Sequence, residues 1–276
     1  MTNGANMKIA VVAPSCTLKR EAAEQVIALA AGRGDCELMI HPQCFLSDGH
    51  FAGPDEARLR ALREVMADPG VDAIWFARGG YGSNRIAEAA LQDLPDAARA
   101  KTYMGYSDAG FLQAGLHNLG LEVAWGPMPQ DVLRSGGEAA VTRALDWLVR
   151  RDRSALEPAL EQPAMAFNLT VLSNLLGTPL EPDFSDVDLL IEEVSEQLYR
   201  IDRTMFHVTA SPNVRRVARL RLGRVADILE NDPEFAADEA AIVEDWCARS
   251  GILYGGRADI GHDERNRVVP FLSQNR

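Results

Sequence analysis

Short apolar runs alternate with amphipathic segments of helical length through the first 150 residues. The runs are "KIAVVAP" (8–14), "CELMIHP" (36–42), "VDAIWFA" (71–77), "TYMGY" (102–106) and "LEVAWG" (121–126). Between them, helical patterns occupy 19–31, begin near Pro54, follow Gly82, extend to about Asn118 and fill 137–150. Strands without polar alternation are buried on both faces, as in a parallel sheet covered by helices. The β/α alternation implies right-handed crossovers and a doubly wound, flavodoxin- or Rossmann-like domain over residues 1–150.

The segment "RRDRSALEPALEQP" (150–163) breaks this rhythm with charge and two prolines, and 151–164 is read as a linker. Beyond it come a helical "NLTVLSNLLG" (168–177), a strand "VDLLIEEV" (187–194) and a helix from Tyr199. A strand-like "VARLRLGRVAD" (217–227), an acidic helix from about Ala237 to Arg249 and a final "RVVPFL" follow. This predicts a second, smaller α+β domain over 165–276.

With 276 residues, 47% of them hydrophobic, the chain is long enough for two packed units. Its net charge of −12 argues against nucleic acid or an anionic membrane as partner. No apolar stretch approaches the roughly 20 residues of a membrane helix. The opening "MTNGANMKIAVVAPSC" reads as a strand and not as a signal segment, which gives a cytoplasmic expectation. Four cysteines in a chain of this size do not form a disulfide framework. Cys36, His41, Cys44 and His50 match no common zinc spacing, and the expectation is no metal and no cofactor.

Two strand ends carry unusual sequence. "ARGGYGSNR" (77–85) places Gly79, Gly80 and Gly82 where a backbone can lie close to an anion. It fails as a dinucleotide fingerprint, because Arg85 stands where a third small residue is needed and the loop follows the third strand. "GYSDAG" (105–110) is close to a G-x-S-x-G nucleophile elbow, with Ala109 replacing the last glycine. Ser107 in that position also suits a plain helix cap.

A serine nucleophile needs a base and an orienting carboxylate. Among five histidines, His207 lies in a helical stretch beside apolar neighbours and reads as a packing residue. His262, in the polar loop "ADIGHDERN", has the exposure expected of a proton shuttle. Glu192 and Glu193 end an apolar strand on opposite faces, one directed inward and one toward solvent.

Together "RGGYGSNR", "GYSD", "NLTVLSNLLGTP" (168–179), "LLIEEVSEQLYRIDR" (189–203) and "GHDERNRVVP" (261–270) resemble the LD-carboxypeptidase (muramoyltetrapeptide carboxypeptidase) family of serine peptidases. That family also contains the microcin C immunity proteins. The resemblance implies a triad of Ser107, Glu192 and His262, with an oxyanion hole from the N–H groups of Asp108 and of Gly80 or Gly79. It implies removal of a terminal D-Ala from a murein tetrapeptide during wall recycling, and a homodimer. Arg78 and Arg85 are candidates for the substrate carboxylate by position, while Arg203 is expected to pair with Asp202 or a nearby acid. The chain departs from the family at Glu193, where Asp is usual, in "MAF" before Asn168, and in the terminal "PFLSQNR". The alternatives are an immunity-type amidase acting on an aminoacyl nucleotide phosphoramidate, which needs a base platform for which Trp75 and Trp125 are available though both read more naturally as strand-borne core, and a non-catalytic two-lobed binding module.

Overall fold

A computed structural model of the chain describes residues 6–160 and 163–271. The first unit runs β1 (Met7–Val12), α1 (Arg20–Arg33), β2 (Cys36–Ile40), α2 (Asp55–Ala67), β3 (Ala73–Phe76), α3 (Asn84–Leu91), α4 (Asp96–Arg99), β4 (Thr102–Gly105), α5 (Gly110–Asn118), β5 (Glu122–Trp125) and α6 (Gly137–Arg150). The second comprises β6 (Ala164–Asn168), α7 (Leu169–Leu175), β7 (Asp188–Val194), α8 (Leu198–Ala210), β8 (Arg219–Ala226), α9 (Glu239–Ser250), β9 (Tyr254–Arg257) and β10 (Val269–Pro270).

The large sheet has the order β10-β5-β4-β3-β1-β2, parallel except for β10. Every residue of β3 and β4 is buried, as their unbroken apolar runs require. The run at 36–42 behaves differently. As β2 it pairs only with β1 at the sheet edge, so it buries Cys36 and exposes Glu37 and Met39. The strand order reverses between β1 and β3, and such a switch point opens a crevice beyond the strand ends. Residues 14–16 and 77–82 leave the sheet there.

In the smaller unit, helix and strand alternate around a parallel sheet β6-β7-β8-β9. Two of its strands have no clear sequence signature. β6 is five residues long and runs directly into α7. β9 reads Tyr-Gly-Gly-Arg, and Gly255 is needed because a Cβ there would lie 2.7 Å from the Arg219 side chain and 2.9 Å from that of Arg221.

The connecting segment is built into the fold. Asp152 accepts from the Ser154 N–H, Leu156 bridges Val268, and the buried Glu157 carboxylate takes two hydrogen bonds from Arg221 at 2.9 and 2.8 Å. Its residues 161 and 162 lie outside the described residues, as do 1–5 of the amino terminus and 272–276 of the terminal "PFLSQNR". The chain then returns from the second sheet to the first, where β10 pairs antiparallel with β5, Val269 opposite Trp125. A continuous apolar core, with Tyr106 and Phe111 on one side and Phe167 and Leu189 on the other, joins the two units.

Candidate active site

The chain turns sharply where β4 ends. After β4, Tyr106 is extended and Ser107 turns into the left-handed region at φ +59°. A non-glycine residue there costs about 1–3 kcal/mol, which its surroundings must offset. Gly105 makes room for the turn. A Cβ at 105 would lie 2.8 Å from the Phe76 side chain and 3.1 Å from the Ala109 Cβ, so a bare 105 accommodates alanine at 109.

Asp108 is buried, and its carboxylate accepts hydrogen bonds from the Ser15 hydroxyl (2.5 Å) and the Ser83 N–H (2.8 Å). Its carbonyl accepts from the Ser83 hydroxyl (2.5 Å), so Asp108 ties together the loops that follow β1, β3 and β4. Burial raises its pKa, against the lowering effect of those bonds.

The glycine loop lies against Ser107. A Cβ on Gly79 would stand 2.9 Å from both Ser107 Cβ and Oγ. Gly80 adopts φ +99°, and a Cβ there would stand 2.4 Å from Cys16 Sγ. Side chains at these positions would displace the groups they adjoin.

Glu192 and His262 arrive from the second unit. Glu192, at the end of β7, is fully buried, and its Oε2 lies 2.5 Å from His262 Nδ1. His262 Nε2 lies 3.1 Å from Ser107 Oγ. With Nδ1–H donating to the carboxylate, the Nε2 lone pair faces the serine hydroxyl; these partners assign the tautomer. Three residues far apart in sequence thus form one hydrogen-bonded line. Burial lowers the His262 pKa, but the charge and hydrogen bond of Glu192 outweigh it, with Asp131 adding and Arg134 opposing. The net displacement is upward from the ordinary value.

His262 is 8% exposed, so the exposure expected of it is absent. It lies under Tyr106, ring centroids 4.7 Å apart, and Arg134 donates to its backbone carbonyl. Tyr106 donates to Asp131 Oδ1 (2.8 Å), which also accepts from Arg134 Nε (3.0 Å). Asn266 Oδ1 accepts from the Gly261 N–H and from Trp125 Nε1. Tyr106 and Asn266 were visible inside the motifs "GYSD" and "GHDERN", but spacing alone assigns them no task. Asp131 and Arg134 carried no signal.

Other expectations need correction. Glu193 is buried, not solvated: it accepts from Asn168 Nδ2 (2.7 Å), Thr170 N–H (3.0 Å) and Thr170 Oγ1 (2.7 Å), all brought by β6 and the start of α7. Burial and the neighbouring Glu192 charge raise its pKa. His207 is exposed on α8 and does not pack in the core. Arg203 lies over the Tyr199 ring, while Asp202 accepts from Trp246 Nε1. Trp75 and Trp125 are core residues, as their place on the strands suggests: both are fully buried, with their indole N–H groups donating to the Pro127 carbonyl and Asn266, and offer no platform. Arg78 lines the cleft, whereas Arg85 pairs with Asp55 and lies over Phe51.

Cys36 and Cys44 are buried, His41 pairs with Glu64, and His50 Nε2 lies 3.4 Å from Cys16 Sγ. Among the described residues no group of three or more His, Cys, Asp or Glu could hold a metal ion. Among the same residues, no helix is long and apolar enough to cross a membrane. The cleft has two lobes of about 620 and 540 Å³ that share Gly80, Ser107 and Val194. The arrangement suits acyl transfer: a hydroxyl, a base that faces it, a carboxylate behind the base, and backbone held close by glycines.

Family models for the LD-carboxypeptidase N-terminal and C-terminal domains match residues 9–126 and 163–275. The murein tetrapeptide carboxypeptidase of Pseudomonas aeruginosa is 24% identical over 283 residues, covering 96% of this chain and 91% of that protein. The crystal structure of muramoyltetrapeptide carboxypeptidase from Oxalobacter formigenes is similar with a TM-score of 0.75 at 22% identity, over 95% of this chain and 92% of that one. The microcin C7 self immunity protein in complex with aspartyl sulfamoyl adenosine gives 0.77 at 16% identity, over 98% and 97%. The two structural likenesses concern the fold; the paired family matches, spanning most of the sequence, make this chain a member of the LD-carboxypeptidase family.

Proposed function

We propose that the protein is a serine carboxypeptidase that cleaves the amide bond between an L-centred diamino acid and a terminal D-amino acid, D-Ala, in murein tetrapeptides. The observation that carries this reading is the line Ser107 Oγ, His262 Nε2, His262 Nδ1, Glu192 Oε2 at 3.1 and 2.5 Å. The murein substrate is carried over from the Pseudomonas aeruginosa relative.

His262 takes the proton of Ser107 as the Oγ attacks the carbonyl carbon, and the tetrahedral intermediate forms. Glu192 orients the imidazole and stabilises its charged form. The N–H of Asp108 and that of Gly80 or Gly79 receive the oxyanion, an effect of about 3–4 kcal/mol per donor. His262 then gives its proton to the departing amine as the C–N bond breaks, leaving an acyl ester on Ser107. Water, activated by the same imidazole, hydrolyses that ester and frees the enzyme.

Nucleophile and oxyanion donors belong to the first unit, acid and base to the second. We read residues 1–150 and 165–276 as the two domains and their junction as the place where the site is completed. The family resemblance adds a cytoplasmic wall-recycling role and a homodimer, the latter tested by sedimentation. Burial of Trp75 and Trp125 counts against the phosphoramidate alternative, and a pure binding module would leave the aligned triad without a use. Incubation with a diaminopimelate- or L-Lys-containing tetrapeptide, and separately with an aminoacyl nucleotide phosphoramidate, decides between the hydrolases. Release of D-Ala from the peptide is expected; turnover of the phosphoramidate alone contradicts the reading.

A further inference from the structure

The two lobes of the cleft differ in charge, and Ser107 stands at their meeting point. The larger is lined by Asp108, Glu88, Glu193 and Glu196, and by no Lys or Arg among the described residues. The smaller contains His262 together with Lys19, Arg78 and Arg134. Because His262 must hand its proton to the departing amine, the leaving group occupies the smaller lobe. We infer that Lys19, Arg78 and Arg134 receive the carboxylate of the departing amino acid, so that charge fixes the direction in which substrate crosses Ser107.

This inference rests on the peptidase reading of the same site and names its specificity residues. Arg78, half-buried, follows β3 and donates one guanidinium N–H to the Thr17 carbonyl (3.1 Å). That bond holds the side chain at the mouth of the lobe, and the fork retains other donors for a carboxylate. Lys19 precedes α1, with its backbone N–H held by Gln130 Oε1 (3.0 Å). Arg134 is fixed by Asp131 and by the His262 carbonyl.

Two carboxylates also line this lobe. Asp131 already accepts from Tyr106, Arg134 and the Met128 N–H. Asp227 contributes to raising the Arg134 pKa. Three cations against these two leave the lobe with a positive balance, whereas the other lobe offers a carboxylate no Lys or Arg among the described residues. Arg85, paired with Asp55, takes no part.

The test compares a tetrapeptide ending in free D-Ala with its carboxy-terminal amide, using wild type and the double variant Lys19→Met, Arg78→Met. Arg134 is left intact because it supports His262. Wild type should prefer the free acid by about tenfold or more in kcat/KM, and the double variant should lose that preference through the acid substrate alone. Equal rates on acid and amide in wild type, or an undiminished preference in the variant, overturn the inference. Calorimetric binding of N-acetyl-D-alanine and its amide to Ser107→Ala, with and without the two substitutions, gives a reading independent of turnover. Acid-selective binding that the substitutions abolish supports the inference even if the tetrapeptide is not cleaved, an outcome that rejects the proposed reaction instead; unselective binding overturns the inference.

Discussion

Ser107 sits at φ +59° between the bare Gly79, where a Cβ would stand 2.9 Å from its Oγ, and Asp108, which is anchored by Ser15 and Ser83. This fixes which atoms meet, and the pH behaviour follows. Since the base must be neutral and its pKa is displaced upward, kcat/KM should rise with pH through an ionisation above the ordinary imidazole value of about 6.5. Glu192→Gln removes the charge responsible, so the limb should move toward lower pH while kcat falls by about 10³–10⁴-fold. A limb that stays in place in that variant would detach Glu192 from the imidazole. Gly80→Ala drives a Cβ toward Cys16 at a backbone angle that alanine resists, and it should lower kcat by about 10²-fold with little change in KM. Steady-state kinetics with correct folding checked by circular dichroism would show whether it does. At this scale the sequence pointed to Ser107, Glu192 and His262 mainly because they lie in recognisable motifs. It misjudged Glu193 and the exposure of His262, because burial depends on β6 and on the Tyr106 ring, contacts made across the fold.

Elements were readable where burial on both faces writes an unbroken apolar run, as in β1, β3 and β4. β6 and β9 were not, one being short and merged with a helix, the other half glycine. The charged segment after α6 looked like a tether because its composition is that of an exposed loop. Pairing conceals its role: Glu157 and Arg221 are 1% and 4% exposed at their side chains and hold one another by two hydrogen bonds. Glu157→Ala deletes both of these hydrogen bonds and leaves Arg221 the Arg257 carbonyl and the Asp188 carboxylate 3.6 Å away, so it should destabilise the protein by about 2–3 kcal/mol. Denaturant titration measures this, and a loss within about 0.5 kcal/mol of zero would mean that the segment is not pinned there.

Across the whole molecule, the two sheets share a core, and residues 269–270 return to the first sheet as β10. A fragment of residues 1–150 therefore lacks the β10 pairing of β5, the Phe167 and Val171 side chains that lie against Gly110 at the start of α5, and both Glu192 and His262. It should be inert and should bind a hydrophobic dye; activity in it would contradict a site shared between units. The return of β10 could not be read from sequence, since a two-residue pairing leaves no periodic pattern. The central claim is that Ser107 attacks the substrate with His262 and Glu192 behind it. Its most direct test is mass spectrometry of a murein tetrapeptide incubated with wild type and with Ser107→Ala. The expected result is loss of terminal D-Ala with wild type alone, and equal loss with both proteins would remove Ser107 from the chemistry.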